Sequence, residues 1–350
     1  MRMRLAAGIA ALALLPCLAP AAELSENLDE LETVLVIGEQ PGPGLWKVSK
    51  GDHVMWVLAS FSPLPKAMTW RSKQVEARIA ESQEVLYPGT VGIELGIGLL
   101  RGLTLVPAAF KAGKIPDGAK LKDVLPADTY TKWLALRQKY IGKDDAVEKR
   151  RPAIALGALR GAAYSKSNLA GGPSVDAVVT RAAKKYKVRI HRLPDVKRAV
   201  KVEDPRAMLK SAQKLKLPDI DCFTRGLDLV EAGIERARLL ANAWSRGDIE
   251  TLRSLHRVVP LKETCAYVLM TAFNEGNSDD AARAKKLLAN IEWHVQQASI
   301  QADLDWIAAA RAALDKNQST FGVLSVDSVL RPDGLLDQLR AQGYTVEEPL

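Results

Sequence analysis

Between Gly44 and Pro65 the chain reads GLWKVSKGDHVMWVLASFSPLP, a pattern that few folds can accommodate. Leu45, Trp46 and Val48 lead into the polar turn Ser49-Lys50-Gly51-Asp52, and His53 to Leu58 runs out as HVMWVL. The spacing predicts a β-hairpin whose second strand is buried. Pro63 and Pro65 lack the N–H that a strand ladder needs, so the strand stops there. The turn just past a buried strand is where α/β proteins tend to place their chemistry. Here Ala59-Ser60-Phe61-Ser62 offers two hydroxyls and a phenyl ring, with no imidazole, thiol or carboxylate.

The far end of the chain returns to strand character. Thr320 to Leu324 (TFGVL) predicts a strand, Ser325-Val326-Asp327-Ser328 a turn, and Pro332 a favourable first residue for a helix through Leu335, Leu336 and Leu339. Gly343 fits the C′ position of that helix, and Tyr344-Thr345-Val346 a last strand. This βαβ-type unit and the hairpin predict one sheet built from both ends of the chain, an α/β (α+β) fold with a large helical insertion over roughly 121–315. Thr69 reads as the cap of a helix carrying Val75 and Ile79, and Glu84 to Tyr87 as a short strand stopped by Pro88-Gly89. From Val91 to Leu105 apolar residues alternate with glycines, and the pattern decides neither helix nor strand. Helices are then expected at Pro126–Tyr140, Pro152–Ala163, Val175–Tyr186, Pro205–Leu215, Cys222–Trp244, Ile249–His256, Thr264–Phe273, Asp279–Ala298 and Asp303–Leu314, with a strand at Lys187–Ile190.

The first residues predict an address. Met1 to Arg4 is basic, Leu5 to Leu15 apolar, and Ala19-Pro20-Ala21 a small-x-small cleavage site, so residues 1–22 read as a secretory signal peptide and the mature domain as 23–350. Cys17 follows Pro16, where a lipoprotein site wants a small residue, which argues against a lipid anchor. No later apolar run reaches the ~20 residues of a membrane span. The expected location is the periplasm, which removes nucleic acid as the natural target. Without Arg2 and Arg4, 47 Lys and Arg stand against 41 Asp and Glu, a net charge of +6 that favours acidic surfaces weakly.

That excess concentrates in Arg181 to Lys201, where nine Lys and Arg face one acid, Asp195. The segment reads either as a contact for an anionic polymer or as a helix with a solvated basic face followed by a short strand. Beyond Cys17 two cysteines remain, Cys222 and Cys265. In an oxidising compartment such a pair predicts a disulfide. A reactive thiol would want a histidine or a cationic helix end beside it, and neither flank supplies one.

Both ends resemble the TraB/GumN family, related to the Tiki metalloproteases. LWKVSKGDHVMWVLASFSPLP is similar to the family's first block, a strand into a Gly-x-x-His turn and a Leu-Pro pair. TFGVLSVDSVLRPDGLLDQLRAQGYTVE is similar to its closing block, with a second Gly-x-x-His, and Trp244-Ser245-Arg246-Gly247-Asp248 to its Trp-x-x-Gly-Asp region. The resemblance implies a divalent metal held by the two histidines. The first motif's glycine and histidine fall on Ala59 and Ser62, and the second's on Ser325 and Ser328. The family's glutamate falls near Pro88. Serine hydroxyls are poor ligands beside imidazole or carboxylate, so the resemblance implies a member without metal or cofactor.

Other chemistry finds little support in the pattern. Ser62 and Lys66 are separated by two prolines, which is not the helical Ser-x-x-Lys spacing. Ser328 has Asp327 beside it, and a triad would have to recruit His53, His191, His256 or His294 through folding. Trp46, Trp56 and Trp70 read as core or as a sugar-binding cleft. The sequence therefore predicts a binding or scaffold protein for an envelope protein or acidic polysaccharide. The alternative is a metal-dependent hydrolase or peptidase rebuilt around Asp327, Glu94 or Asp52.

Overall fold

The computed structural model describes residues 39–169, 171–172, 174–214, 219–255, 265 and 279–349. The expected signal peptide, His256 and most of the helix expected at Thr264–Phe273 lie outside them.

The hairpin forms as its pattern dictates. Strand β1 (Glu39–Gln40) precedes β2 (Leu45–Lys50) and β3 (His53–Ser60), which pair antiparallel with Lys50 opposite His53. Gly51 closes the turn at φ 62°, a left-handed conformation that costs glycine nothing. Met55, Val57, Leu58 and Ala59 are all buried, so β3 is covered on both faces.

Thr69 does not cap a helix. Thr69–Trp70 is a two-residue strand, β4, parallel to β1, and helix α1 (Lys73–Ala80) begins after Ser72. The cause is Trp70: its ring is buried edge-on to Trp244, centroids 5.4 Å apart. The next residue is held too, because Arg71 donates its N–H to the Gln40 carbonyl. Val75 and Ile79 do face inward from α1.

Next come β5 (Glu84–Tyr87) and the glycine-rich stretch, which divides into β6 (Val91–Leu95) and α2 (Leu99–Ala112). Helices α3 (Leu121–Val124), α4 (Ala127–Tyr140), α5 (Pro152–Lys166) and α6 (Val175–Lys185) follow, with Pro152 at the first turn of α5 and Ser174 capping α6. The insertion is not purely helical. Strands β7 (Arg189–Arg192) and β8 (Val196–Val200) lie inside it, β7 extending the main sheet and β8 pairing with β6. The basic run conceals β8 in the sequence: its two buried residues, Val196 and Val200, are four apart, a spacing helices share.

Helix α7 (Pro205–Lys214) leads to α8 (Ile220–Arg246), 27 residues long. Helix α8 belongs to two cores. Phe223, Leu227 and Val230 pack with Trp133, Leu121 and Leu156 in the insertion, while Ala243 and Trp244 pack against the sheet. Cys222 on α8 is disulfide-bonded to Cys265, with Cα atoms 5.6 Å apart, as expected.

After α9 (Ile249–Leu255), the two helices expected at Asp279–Ala298 and Asp303–Leu314 are one, α10 (Asp279–Lys316), whose 38 residues contain no Gly or Pro to stop them. The chain ends with β9 (Ser319–Ser325), α11 (Val326–Leu330), α12 (Leu335–Ala341) and β10 (Thr345–Glu347). Pro332 does not open α12. Asp333 takes a φ of 55°, which leaves Pro332 in a turn and makes Gly334 the cap.

The main sheet runs β10-β2-β3-β9-β5-β7, with β3, β9, β5 and β7 mutually parallel. Both ends of the chain do build it, since β2 and β3 sit between β10 and β9.

Candidate functional site

Strands β3 and β9 are parallel neighbours in register from Val54 opposite Ser319 to Ser60 opposite Ser325. Their exits therefore lie side by side. From β3 the chain passes over β9 to reach β5 through α1, and from β9 it passes back over β3 and β2 to reach β10 through α11 and α12. Adjacent strands whose connections leave in opposite directions open a crevice at their carboxyl ends, where open α/β sheets bind ligands. All four family-motif positions are at these exits.

At the β9 exit, Ser325 is the N-cap of α11. Its hydroxyl accepts the Ser328 backbone N–H at 3.0 Å and lies 2.8 Å from the Ser328 hydroxyl. The two serines are thus partners of each other, and their job is to start a helix. Ser-x-x-Ser beside an acidic residue is a capping pattern, and it was there to be read in Ser325-Val326-Asp327-Ser328.

At the β3 exit, Ala59 is buried and its carbonyl accepts Trp244 Nε1–H at 2.6 Å. Nothing in the sequence spacing pointed to this bond between residues so far apart. It explains why the Trp-Ser-Arg-Gly-Asp segment matters: Gly247, at φ 72°, ends α8, and Ser245 accepts the Gly42 N–H at 2.8 Å, fixing the helix end against the strand exit. Ser62 is exposed beside the cis Ser62–Pro63 bond. Beyond it Leu64 is buried, and Gly172 comes so close that a Cβ there would lie 1.9 Å from the Leu64 carbonyl oxygen.

The third exit, of β5, holds Tyr87 and Pro88 where the resemblance implies a glutamate. The Arg192 guanidinium lies 3.8 Å from the Tyr87 ring centre and donates to Asp176 at 3.0 Å. Burial pushes the Tyr87 phenol above its ordinary value. Gly89 is pressed against the turn after β7, a Cβ there meeting the Pro194 carbonyl oxygen at 2.1 Å.

These exits do not fit a divalent ion. The groups offered are hydroxyls, a phenol, backbone and the single carboxylates of Asp327 and Asp176, the latter paired with Arg192, and among the described residues no three His, Cys, Asp or Glu side chains gather where they could hold a metal. The acids considered as a rebuilt centre are scattered. Asp327 is in α11, Glu94 is on the small β6–β8 sheet paired with Lys197, and Asp52 is in the hairpin turn. Asp52 is thus at the opposite end of β3, roughly 25 Å away at the usual rise of a strand.

The histidines lie elsewhere. His53 Nδ1 contacts the Leu314 carbonyl oxygen at 2.5 Å, His191 lies 3.6 Å from Glu84, and His294 is on α10 beside Trp293. Glu84 is nearly buried at the entry of β5, where it accepts Asn317 Nδ2–H at 2.9 Å and Arg189 at 3.0 Å. Trp46 and Trp70 are core residues, and Trp56 is half-buried with the Arg78 guanidinium 4.1 Å from its ring centre. Clefts of about 430 Å³, beside Trp46, Leu330 and Leu336, and about 480 Å³, beside Tyr140, Glu231 and Arg238, have none of the four motif positions in their walls.

The fold and its exits define a class: a mixed α/β protein with a helical insertion, whose two equivalent loop corners stand over adjacent parallel strands. A family model described as the TraB/PrgY/gumN family matches residues 44–348, nearly the whole chain, and the protein belongs to that family. No curated protein and no solved structure matches it.

Proposed function

We propose that this is a periplasmic member of the TraB/PrgY/gumN family that works by binding an envelope protein or an acidic polysaccharide, and not by metal-dependent hydrolysis. The observation that carries the reading is the use made of Ser325 and Ser328. Where the resemblance implies a metal-binding corner, both hydroxyls are engaged with each other in capping α11. A neutral hydroxyl that already serves a helix end has little affinity left to offer a cation.

The basic segment contributes a charged surface near the β7 edge. Lys185, Arg189, Arg192 and Lys197 are held by Glu76, Glu84, Asp176 and Glu94 respectively, while Lys184 and Lys187 are exposed on and just beyond α6. Apart from Arg189 with the nearly buried Glu84, these ion pairs lie at the surface and are worth little.

The test is elemental analysis of the purified protein together with a peptidase assay. The reading predicts no stoichiometric manganese, cobalt or zinc and no activity that a chelator removes. One bound metal per chain with chelator-sensitive hydrolysis would replace it with the rebuilt-hydrolase alternative.

A further inference from the structure

Helix α2 is built inside out. Its small residues Ala108 and Ala112 are half-buried with Leu105, the latter 7% exposed, while Leu100, Leu103, Val106 and Phe110 point outward at 80%, 60%, 45% and 57% exposure. These four recur at intervals of three and four residues, so they form one stripe along the free side of the helix. The helix is attached along its narrow inner side, where Gln213 of α7 reaches the Ala108 carbonyl and Arg151 donates to the Ala112 carbonyl at 2.9 Å. A surface helix of a globular protein has the reverse pattern.

The surroundings of the stripe are cationic. Arg101 and Lys111 are exposed on the same helix, the Arg150 guanidinium lies 5.7 Å from the Phe110 ring centre, and no Asp or Glu occurs between Glu94 and Asp117. Lys210 on the supporting helix α7 is exposed as well. Bulky apolar side chains with cations on the same surface helix match the interfacial region of an anionic bilayer in character and in charge. With 14 residues α2 is about 21 Å long, short of the ~30 Å hydrocarbon core, so it would lie in the surface and not cross it.

We infer that α2 docks this protein on an anionic phospholipid surface, Leu100, Leu103, Val106 and Phe110 entering the headgroup boundary and Arg101 and Lys111 meeting lipid phosphates. A second copy of the chain is a poorer occupant. A two-fold interface would set the stripe against itself and bring the Arg101 and Lys111 of one copy toward those of the other. The inference stands whether or not the serine corners bind metal.

Hydrogen exchange of the full chain, read by mass spectrometry with and without vesicles, tests it at the helix itself. Peptides covering 99–112 are expected to gain protection with phosphatidylglycerol vesicles, less as salt rises, and not with phosphatidylcholine alone. The variant L100S/L103S/F110S should bind the acidic vesicles about ten-fold more weakly with unchanged circular dichroism. R101E/K111E should lose the preference for acidic lipid. Protection of 99–112 that grows with protein concentration in the absence of lipid would identify a second copy and overturn the inference. No protection on acidic vesicles, or vesicle binding unaltered by both variants, would overturn it too.

Discussion

Ser325 and Ser328 have the same side chain, yet they should respond differently to its removal. Ser325→Ala takes away the oxygen that accepts the Ser328 N–H, and an uncapped helix start costs about 1 kcal/mol. Ser328→Ala leaves that bond in place, and Ser62→Ala removes an exposed hydroxyl, so each should stay within about 0.5 kcal/mol of wild type. Urea unfolding of the three variants checks this. Equal losses at all three positions would mean that the hydroxyls act together, as ligands of one centre would. At this scale the sequence was legible where chemistry is local: the hydroxyls at Ser62, Ser325 and Ser328, where the resemblance implies histidine motifs, can be read from the residues themselves. The Trp244–Ala59 bond was not, because a contact between positions 185 apart is made only by the fold.

Elements carry the next two expectations. Asp219 is fully buried at the start of α8, where its carboxylate accepts the Ala153 N–H of α5 at 2.7 Å. Burial raises its pKa, with the Ala153 N–H and Arg151 opposing. A carboxyl whose folded value is raised favours the folded state fully below the ordinary aspartate value of about 3.9, and that contribution is lost as pH rises through the folded value. Asp219→Asn keeps an acceptor for Ala153 and has no proton to lose. Its stability relative to wild type should therefore increase as pH rises across that window, and a difference independent of pH would contradict the burial argument.

The Cys222–Cys265 bridge spans a separation of 43 residues, and removing it should cost about 4 kcal/mol on the chain-entropy model. Comparing the oxidised protein with C222A/C265A in denaturant measures that. The pairing was legible because only two cysteines remain after Cys17. Boundaries between elements were less so. The strand expected at Lys187–Ile190 forms as β7, but β8 depends on its pairing with β6, the single long α10 is read only from the fold, and Thr69 was drawn from a helix cap into a strand by the burial of Trp70.

For the whole molecule, the two chain ends announce the fold. Strands β3 and β9 are strongly patterned because they are the buried centre of the sheet, and the strands expected at both ends form as β2, β3, β9 and β10, while Ser325–Ser328, expected as a turn, opens α11 and Pro332 does not open α12. The helical insertion is patterned too, but its second core around Trp133 and Phe223 and the outward apolar stripe of α2 need the third dimension. Glycine spacing alone could not say which side of α2 faces in.

The account turns on the corners at the exits of β3 and β9. Equilibrium titration of the metal-stripped protein with manganese, cobalt and zinc, wild type beside Ser62→Ala/Ser328→Ala, tests it most directly. The account predicts weak binding without one-to-one stoichiometry, and the same in both proteins. Tight binding of one ion per chain that the double substitution abolishes would contradict it.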